Sequence, residues 1–146
     1  MPEANPAVVP AGERRAGGLP TPTGQRGPLG HGIDIEEIEA LPQWRQDPAA
    51  NAFYSSHFTP GELKTAEARP DPRAHLCGIW CAKEAVKKSD PALLTLDFRD
   101  IQVTNDAAGR PCVRFERQEV EARFVTVVSI SHSRSFAVGS AITLLR

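Results

Sequence analysis

The sequence predicts an α+β domain, in which a mostly antiparallel sheet packs with a long central helix. Helix-start signals lie between residues 59 and 72, and β-branched segments recur from residue 101 to the end of the chain. Of the 146 residues, 40% are hydrophobic and 24% are charged, which suits one domain with its own core. Residues 1–28 are rich in proline, glycine and alanine without periodicity, so we expect a flexible extension before an ordered domain of residues 29–146.

The first elements follow from short local signals. Residues 30–35 are apolar and β-branched, which predicts a strand, and residues 36–41 are predicted to form a short helix. Pro42 and the pair Asp47-Pro48 are then expected to interrupt the chain.

The two central helices have clear start signals. Thr59-Pro60 can cap a helix, and Glu62 stands where it closes a capping box, so a helix is predicted that ends before Pro70. Asp71-Pro72 starts the next helix in the same way. That long helix is predicted over residues 72–88, and four strands are predicted at residues 101–104, 111–115, 124–130 and 136–144.

Charge and composition exclude several classes of protein. The formal net charge of −1 and the absence of a recognition motif argue against nucleic-acid binding. No apolar run approaches the length of a membrane span, and the N-terminus lacks the apolar segment of a signal peptide, so we expect a cytoplasmic protein. A zinc site on Cys77, Cys81 and the nearby His75 would need a distant fourth ligand. Reduced, buried thiols on a helix face are therefore the favoured interpretation.

Each candidate site residue has a plain structural alternative. Asp34 lies in an apolar strand, as either a metal ligand or an exposed acid on an edge strand. Glu84 and Lys88 share a helix face, where an isolated pair of this kind is usually a surface ion pair. His132 ends a strand within a serine-rich segment that is either a site or a turn. Gly109-Arg110-Pro111 is either a phosphate-binding turn or a simple β-turn.

Taken together, five segments resemble one family. They are GIDIEEI at 32–38, FTPGE at 58–62, WCAKEAVKK at 80–88, NDAAGRP at 105–111 and SISHS at 129–133. In this order they resemble the holo-acyl-carrier-protein synthases, the small bacterial type of 4'-phosphopantetheinyl transferase. The resemblance covers residues 29–146 and implies the α+β fold of that family. It also implies a homotrimer, because members of the family commonly form trimers with active sites between subunits.

The resemblance also implies an activity. Such enzymes transfer phosphopantetheine from coenzyme A to a serine of an apo acyl carrier protein, in fatty-acid or polyketide synthesis, and release 3',5'-ADP. By similarity, Asp34 and Glu84 would hold Mg²⁺, which prefers carboxylate and phosphate oxygens. Lys88 would bind the phosphates, and Glu84 would take the proton from the serine.

The remaining site residues are assigned by the same resemblance. His132 would orient Asp34 or contact the phosphates, as a further catalytic and coenzyme-binding residue. Gly109, Arg110 and Pro111 would lie against the nucleotide part of coenzyme A.

Three departures from the family pattern bear on function. Ile79 stands where the family has an arginine that helps to hold the 3'-phosphate of coenzyme A, and Arg69 or Arg73 is the candidate substitute. The segment after Lys88 lacks the usual glycines. Residues 36–41 are acidic where the family's first helix is often basic and docks the carrier, and like charges are unfavourable across such an interface.

The sequence also suggests two alternatives to the enzyme. A non-catalytic module that binds coenzyme A or a carrier protein would tolerate these departures. A serine hydrolase on Ser131 or Ser133 with His132 is disfavoured, because adjacent residues at a strand end do not present a nucleophile and its base together, and no Gly-x-Ser-x-Gly elbow is present.

Overall fold

The computed structural model describes residues 29–146, and the extension predicted for residues 1–28 lies outside them. The strands are β1 Leu29–Glu37, β2 Ile101–Asn105, β3 Pro111–Phe115, β4 Phe124–His132 and β5 Phe136–Leu145. The α-helices are α1 Pro48–His57, α2 Pro60–Glu67, α3 Pro72–Ser89 and α4 Gln118–Arg123, with 3₁₀ turns at Ile38–Ala40 and Phe98–Asp100. All strands join one antiparallel sheet in the order β1-β5-β4-β3-β2, which confirms the predicted fold class.

The prediction failed in three places. Pairing of β1 with β5 continues to Glu37, so only Ile38–Ala40 of the predicted helix at residues 36–41 is helical, as a 3₁₀ turn. Asp47-Pro48 does not break the chain but starts α1, because the Asp47 carboxylate accepts a hydrogen bond from Ala50 N (2.8 Å). The short helix α4 was not predicted, and it has no side-chain cap that would signal it.

The long helix α3 lies on one face of the sheet in backbone-to-backbone contact. A Cβ atom built on Gly32 would lie 1.9 Å from the Ala85 carbonyl oxygen, and one on Gly139 would lie 2.3 Å from the carbonyl carbon of Cys81. Cys77 and Cys81 are buried and reduced on the sheet-facing side of α3, as predicted. No helix in the described part of the chain is long and apolar enough to cross a membrane.

Gly32→Ala is expected to destabilise the chain by about 1–3 kcal/mol, because the new methyl group forces β1 away from α3. Urea unfolding followed by circular dichroism measures this change. Gly61→Ala is the control, since a Cβ there would meet only Gln102 Nε2, at an ordinary 3.7 Å. Equal stability of the two variants would contradict the close packing of β1 on α3.

Candidate active site

Asp34 and Lys88 meet where the C-terminal half of α3 crosses β1. Lys88 Nζ donates a 2.6 Å hydrogen bond to Asp34 Oδ1, and the Asp34 side chain is 14% exposed. Asp34 is therefore not the freely exposed acid of the structural alternative, although β1 is an edge strand. This hydrogen bond raises the pKa of Lys88, so the side chain is a cation at neutral pH.

Glu84 lies one turn before Lys88 and is half-buried. Its charge also raises the pKa of Lys88, after the larger effect of Asp34, so both carboxylates act on the same ammonium group. Among residues 29–146, no protein group donates a hydrogen bond to the Glu84 carboxylate. We call Asp34, Glu84 and Lys88 the carboxylate cluster.

The donor set of the carboxylate cluster fits Mg²⁺. This ion commonly takes one or two carboxylates and completes its shell with substrate phosphates and water. Asp34 and Glu84 supply the carboxylates, and the Glu84 oxygens have no competing protein donor within the described residues. The same part of the chain contains no group of three or more His, Cys, Asp or Glu side chains that could form an all-protein metal cage.

His132 is not part of the carboxylate cluster and lies in the wall of a cavity. It lines a cavity of about 680 Å³ between α2, α3, β2 and β4, together with Arg69, His75 and Ile79. Asp34, Glu84 and Lys88 are not part of the lining of this cavity. The predicted site residues of one chain therefore form two separate clusters. Within residues 29–146 of one chain, no hydrogen bond joins His132 to Asp34, so the expected orientation of Asp34 by His132 has no contact to support it.

Ser133, the residue after His132, has the structural role of a turn residue. Ser133 Oγ accepts hydrogen bonds from the backbone amides of Ser135 (3.3 Å) and Phe136 (3.2 Å), which holds the turn between β4 and β5. This role satisfies a tight turn and does not present Ser133 as a nucleophile.

The predicted nucleotide-binding turn borders the cavity through β2. Gly109 has a φ of 79°, the left-handed region that favours glycine. Arg110 Nε donates to Asp106 Oδ2 at 2.8 Å, although its side chain is 78% exposed. Pro111 pairs with Asn105, and Asn105 lines the cavity. The turn is thus next to the cavity, with Arg110 held by its own loop.

A buried ion pair is formed by Lys83, the residue before Glu84 on α3. The Lys83 side chain is fully buried, and its Nζ donates to Glu62 Oε2 (2.7 Å), His57 O (3.0 Å) and Phe98 O (2.9 Å). In the sequence, Glu62 is recognisable only as part of a capping box. A lysine inside an otherwise amphipathic helix is the sequence signal, but its partners come from three other segments of the chain.

An aromatic surface lies beside Glu84, one turn earlier on α3. Trp80 stacks on Phe98 with ring centroids 4.5 Å apart, and Phe53 and His57 of α1 pack against Trp80. Lys87 Nζ lies 4.5 Å from the centroid of the Phe98 ring. We call these four rings, with Lys87, the aromatic surface.

Residues 30–141 match the model of the 4'-phosphopantetheinyl transferase superfamily. A holo-[acyl-carrier-protein] synthase of Chlorobaculum tepidum is 35% identical over 113 residues, which are 76% of this chain and 94% of the relative. The chain belongs to this superfamily. The fold agrees with a holo-(acyl-carrier-protein) synthase of Bacillus anthracis in complex with CoA (3',5'-ADP), at 27% identity and a TM-score of 0.61 over 80% of this chain and 95% of that one. A Chronobacterium ammoniagenes ACPS–CoA complex, 22% identical, shares the fold at a TM-score of 0.67 over 82% and 98% of the two chains.

Proposed function

We propose that this 4'-phosphopantetheinyl transferase is a holo-[acyl-carrier-protein] synthase that moves phosphopantetheine from coenzyme A to a serine of an apo acyl carrier protein. Membership of the superfamily supports the reaction class, and the carboxylate cluster is the observation that carries the assignment. A non-catalytic binding module would have no need to keep Glu84 free of protein donors beside Asp34 and Lys88. We propose the cytoplasm as the place of this reaction, as predicted from the sequence.

The chain's own residues account for the bond changes. The carrier serine oxygen attacks the β-phosphorus of coenzyme A, the bond from that phosphorus to 3',5'-ADP breaks, and the serine proton passes to Glu84. Lys88 holds the phosphates once they replace its contact with Asp34. Mg²⁺, held by Asp34 and Glu84, would supply positive charge to the pyrophosphate.

Intact mass spectrometry of apo carrier proteins, mixed with the chain, coenzyme A and Mg²⁺, tests this function. A gain of one phosphopantetheine, lost on addition of EDTA and restored by excess Mg²⁺, is the expected result. Coenzyme A binding without any gain on several carriers would instead support the non-catalytic module. Neither binding nor gain would overturn both functions.

The carrier is expected to approach over the aromatic surface. The acidic segment 36–41 is part strand and part 3₁₀ turn, so the first α-helix within residues 29–146 is α1. None of the ten residues of α1 is acidic. The like-charge repulsion inferred from the sequence therefore does not apply to this helix, and Lys87 adds a positive charge beside its aromatic side chains.

We further propose that the enzyme is a homotrimer. The sheet face opposite α3 exposes large apolar side chains of β1, β4 and β5, namely Leu29, Ile33, Ile35, Val127, Phe136 and Ile142. Exposed apolar side chains in this number on one face are typical of an interface between subunits. Assembly would also explain why the carboxylate cluster and the cavity are separate in one chain, since the two halves of a site can come from different copies.

Ile33→Asp is expected to dissociate the assembly and to lower transfer together with it, because a charge would be buried in an apolar contact. Light scattering coupled to size exclusion gives the mass, and the carrier assay gives the activity. Leu94→Asp is the control, since Leu94 is 59% exposed and Ile33 58%, but Leu94 lies outside the sheet. A monomeric wild-type chain with full activity would contradict the trimer.

A further inference from the structure

The segments that build the aromatic surface meet at one buried side chain. Phe53 and His57 belong to α1, and Phe98 begins the 3₁₀ turn before β2. Trp80 lies on α3, three residues before Lys83. The Lys83 ammonium group donates to the backbone carbonyls of His57 (3.0 Å) and Phe98 (2.9 Å). A single buried group therefore ties α1 and the 3₁₀ turn to the helix that carries Trp80.

Lys83 has no hydrogen-bonding capacity left for a substrate. An ammonium group has three N–H donors, and Lys83 Nζ uses them on His57 O, Phe98 O and the Glu62 carboxylate. Its side chain is fully buried, whereas that of Lys88 is 47% exposed. Of these two lysines on either side of Glu84, Lys88 is thus the one that can bind a phosphate.

The counter-ion of Lys83 is itself held by the backbone of two other elements. Glu62 Oε2 accepts from Thr59 N (2.8 Å) in the capping box at the start of α2, and Glu62 Oε1 accepts from Val103 N (2.7 Å) of β2. Glu62 is therefore a fixed partner, and it defines where Lys83 Nζ lies relative to α2 and the sheet.

Stability alone does not account for an ion pair at this place. Removing two charges from water costs about as much free energy as their attraction returns, and apolar residues of similar volume often stabilise a core equally well. Hydrogen bonds add directionality that apolar contacts lack. Glu84 is the next residue on α3, so the contacts of Lys83 also define where Glu84 lies relative to the aromatic surface.

We propose that Lys83 and Glu62 are positioning residues of the transfer reaction, which hold the aromatic surface in a fixed place relative to the Glu84 carboxylate. This inference rests on the proposed function, because that function brings the carrier over the aromatic surface and gives the serine proton to Glu84. Lys83 touches neither substrate. It acts on carrier binding through His57 and Phe98, and on proton transfer through Glu84. A displacement of about 1 Å in such an arrangement can cost about 100-fold in rate.

The double variant Lys83→Met, Glu62→Gln tests this inference, because it removes the ion pair and leaves no charge buried alone. Per folded molecule, carrier binding is expected to weaken by about 10-fold and kcat to fall by about 10- to 100-fold. Calorimetric titration with an apo acyl carrier protein measures binding without turnover, carrier mass gives kcat, and urea unfolding gives the folded fraction. A purely structural role would lower the number of active molecules and leave the carrier affinity of each unchanged.

Two further variants separate position from stability. Phe124→Ala opens a cavity in the core at the start of β4, so it is expected to destabilise the fold without changing the carrier affinity or kcat of the folded molecules. Glu62→Gln alone leaves the Lys83 bonds to the two carbonyls available, so carrier binding is expected to weaken less than in the double variant.

Wild-type carrier affinity and kcat in the double variant would overturn the inference alone, provided that the wild-type chain transfers phosphopantetheine. The same losses in the folded molecules of Phe124→Ala would also overturn it. A wild-type chain that binds a carrier through a Lys83-dependent surface, without transfer, would support the positioned surface and overturn the transferase. Failure of the wild-type chain to bind or modify any carrier would overturn both.

Discussion

Replacing Lys83 by methionine is expected to destabilise the chain by about 3–5 kcal/mol, because it leaves a buried carboxylate without its counter-ion. Lys83 is fully buried, and burial lowers its pKa while the charge and hydrogen bond of Glu62 act in the opposite direction. Methionine keeps most of the side-chain volume, so the loss measures polar interactions more than a cavity. The carbonyl oxygens of His57 and Phe98 also lose a donor.

Urea unfolding of the Lys83→Met variant, followed by tryptophan fluorescence and circular dichroism, measures the effect. Lys87→Met is the matched control on the neighbouring position, and it is expected to cost about 0.5–1 kcal/mol through its contact with the Phe98 ring. The double variant Lys83→Met, Glu62→Gln is expected to be less destabilised than the sum of its single changes, because no unpaired charge remains. Additive effects, or a loss for Lys83→Met no greater than the control, would contradict a functional ion pair in the core.

This ion pair also links stability to the site. Lys83 joins the end of α1, the start of α2 and the 3₁₀ turn before β2 to the middle of α3. Glu84 is the next residue along α3, so its position depends on how firmly these segments hold the helix. Glu62 extends the link to β2 by accepting a hydrogen bond from Val103 N.

The helices were predictable where capping was complete. Thr59 and Glu62 form the capping box expected from the sequence, and Asp71 caps α3 as its Asp-Pro signal predicts. Asp47-Pro48 carries that same signal, but it follows Pro42 closely and was interpreted as a break. The failure to predict α1 also hid the aromatic surface, since Phe53 and His57 belong to that helix.

The site residues were predictable in type but not in their grouping. Asp34 and Lys88 are 54 positions apart, and their contact depends on how closely glycines of the sheet let α3 approach β1. The sequence likewise offers Arg69 and Arg73 as equals, four positions apart and on either side of the start of α3. Only the fold shows that Arg73 is bound to the backbone carbonyls of Leu41 and Glu39, whereas Arg69 lines the cavity with His132.

Glu84→Gln is expected to lower kcat for phosphopantetheine transfer by about 10²- to 10⁴-fold, because the amide can neither accept the serine proton nor offer a charged oxygen to Mg²⁺. Its stability is expected to change by only about 0.5 kcal/mol, since no described protein group donates to the Glu84 carboxylate. Asp34→Asn is expected to reduce transfer as well, but also to lower stability, because Asp34 pairs with Lys88 in the folded chain.

Initial rates measured by carrier mass over a Mg²⁺ titration, together with urea unfolding of each variant, separate these effects. Glu119→Gln on the exposed face of α4 is the control for loss of one carboxylate. Full activity of Glu84→Gln would exclude Glu84 as the base and as a metal ligand. Equal losses of activity and stability would instead indicate that Glu84 has a structural role. A large loss of kcat in a fully folded variant, with a raised Mg²⁺ requirement, is expected only if the carboxylate acts on the reacting phosphates, because it forms no hydrogen bond or ion pair with a side chain of residues 29–146.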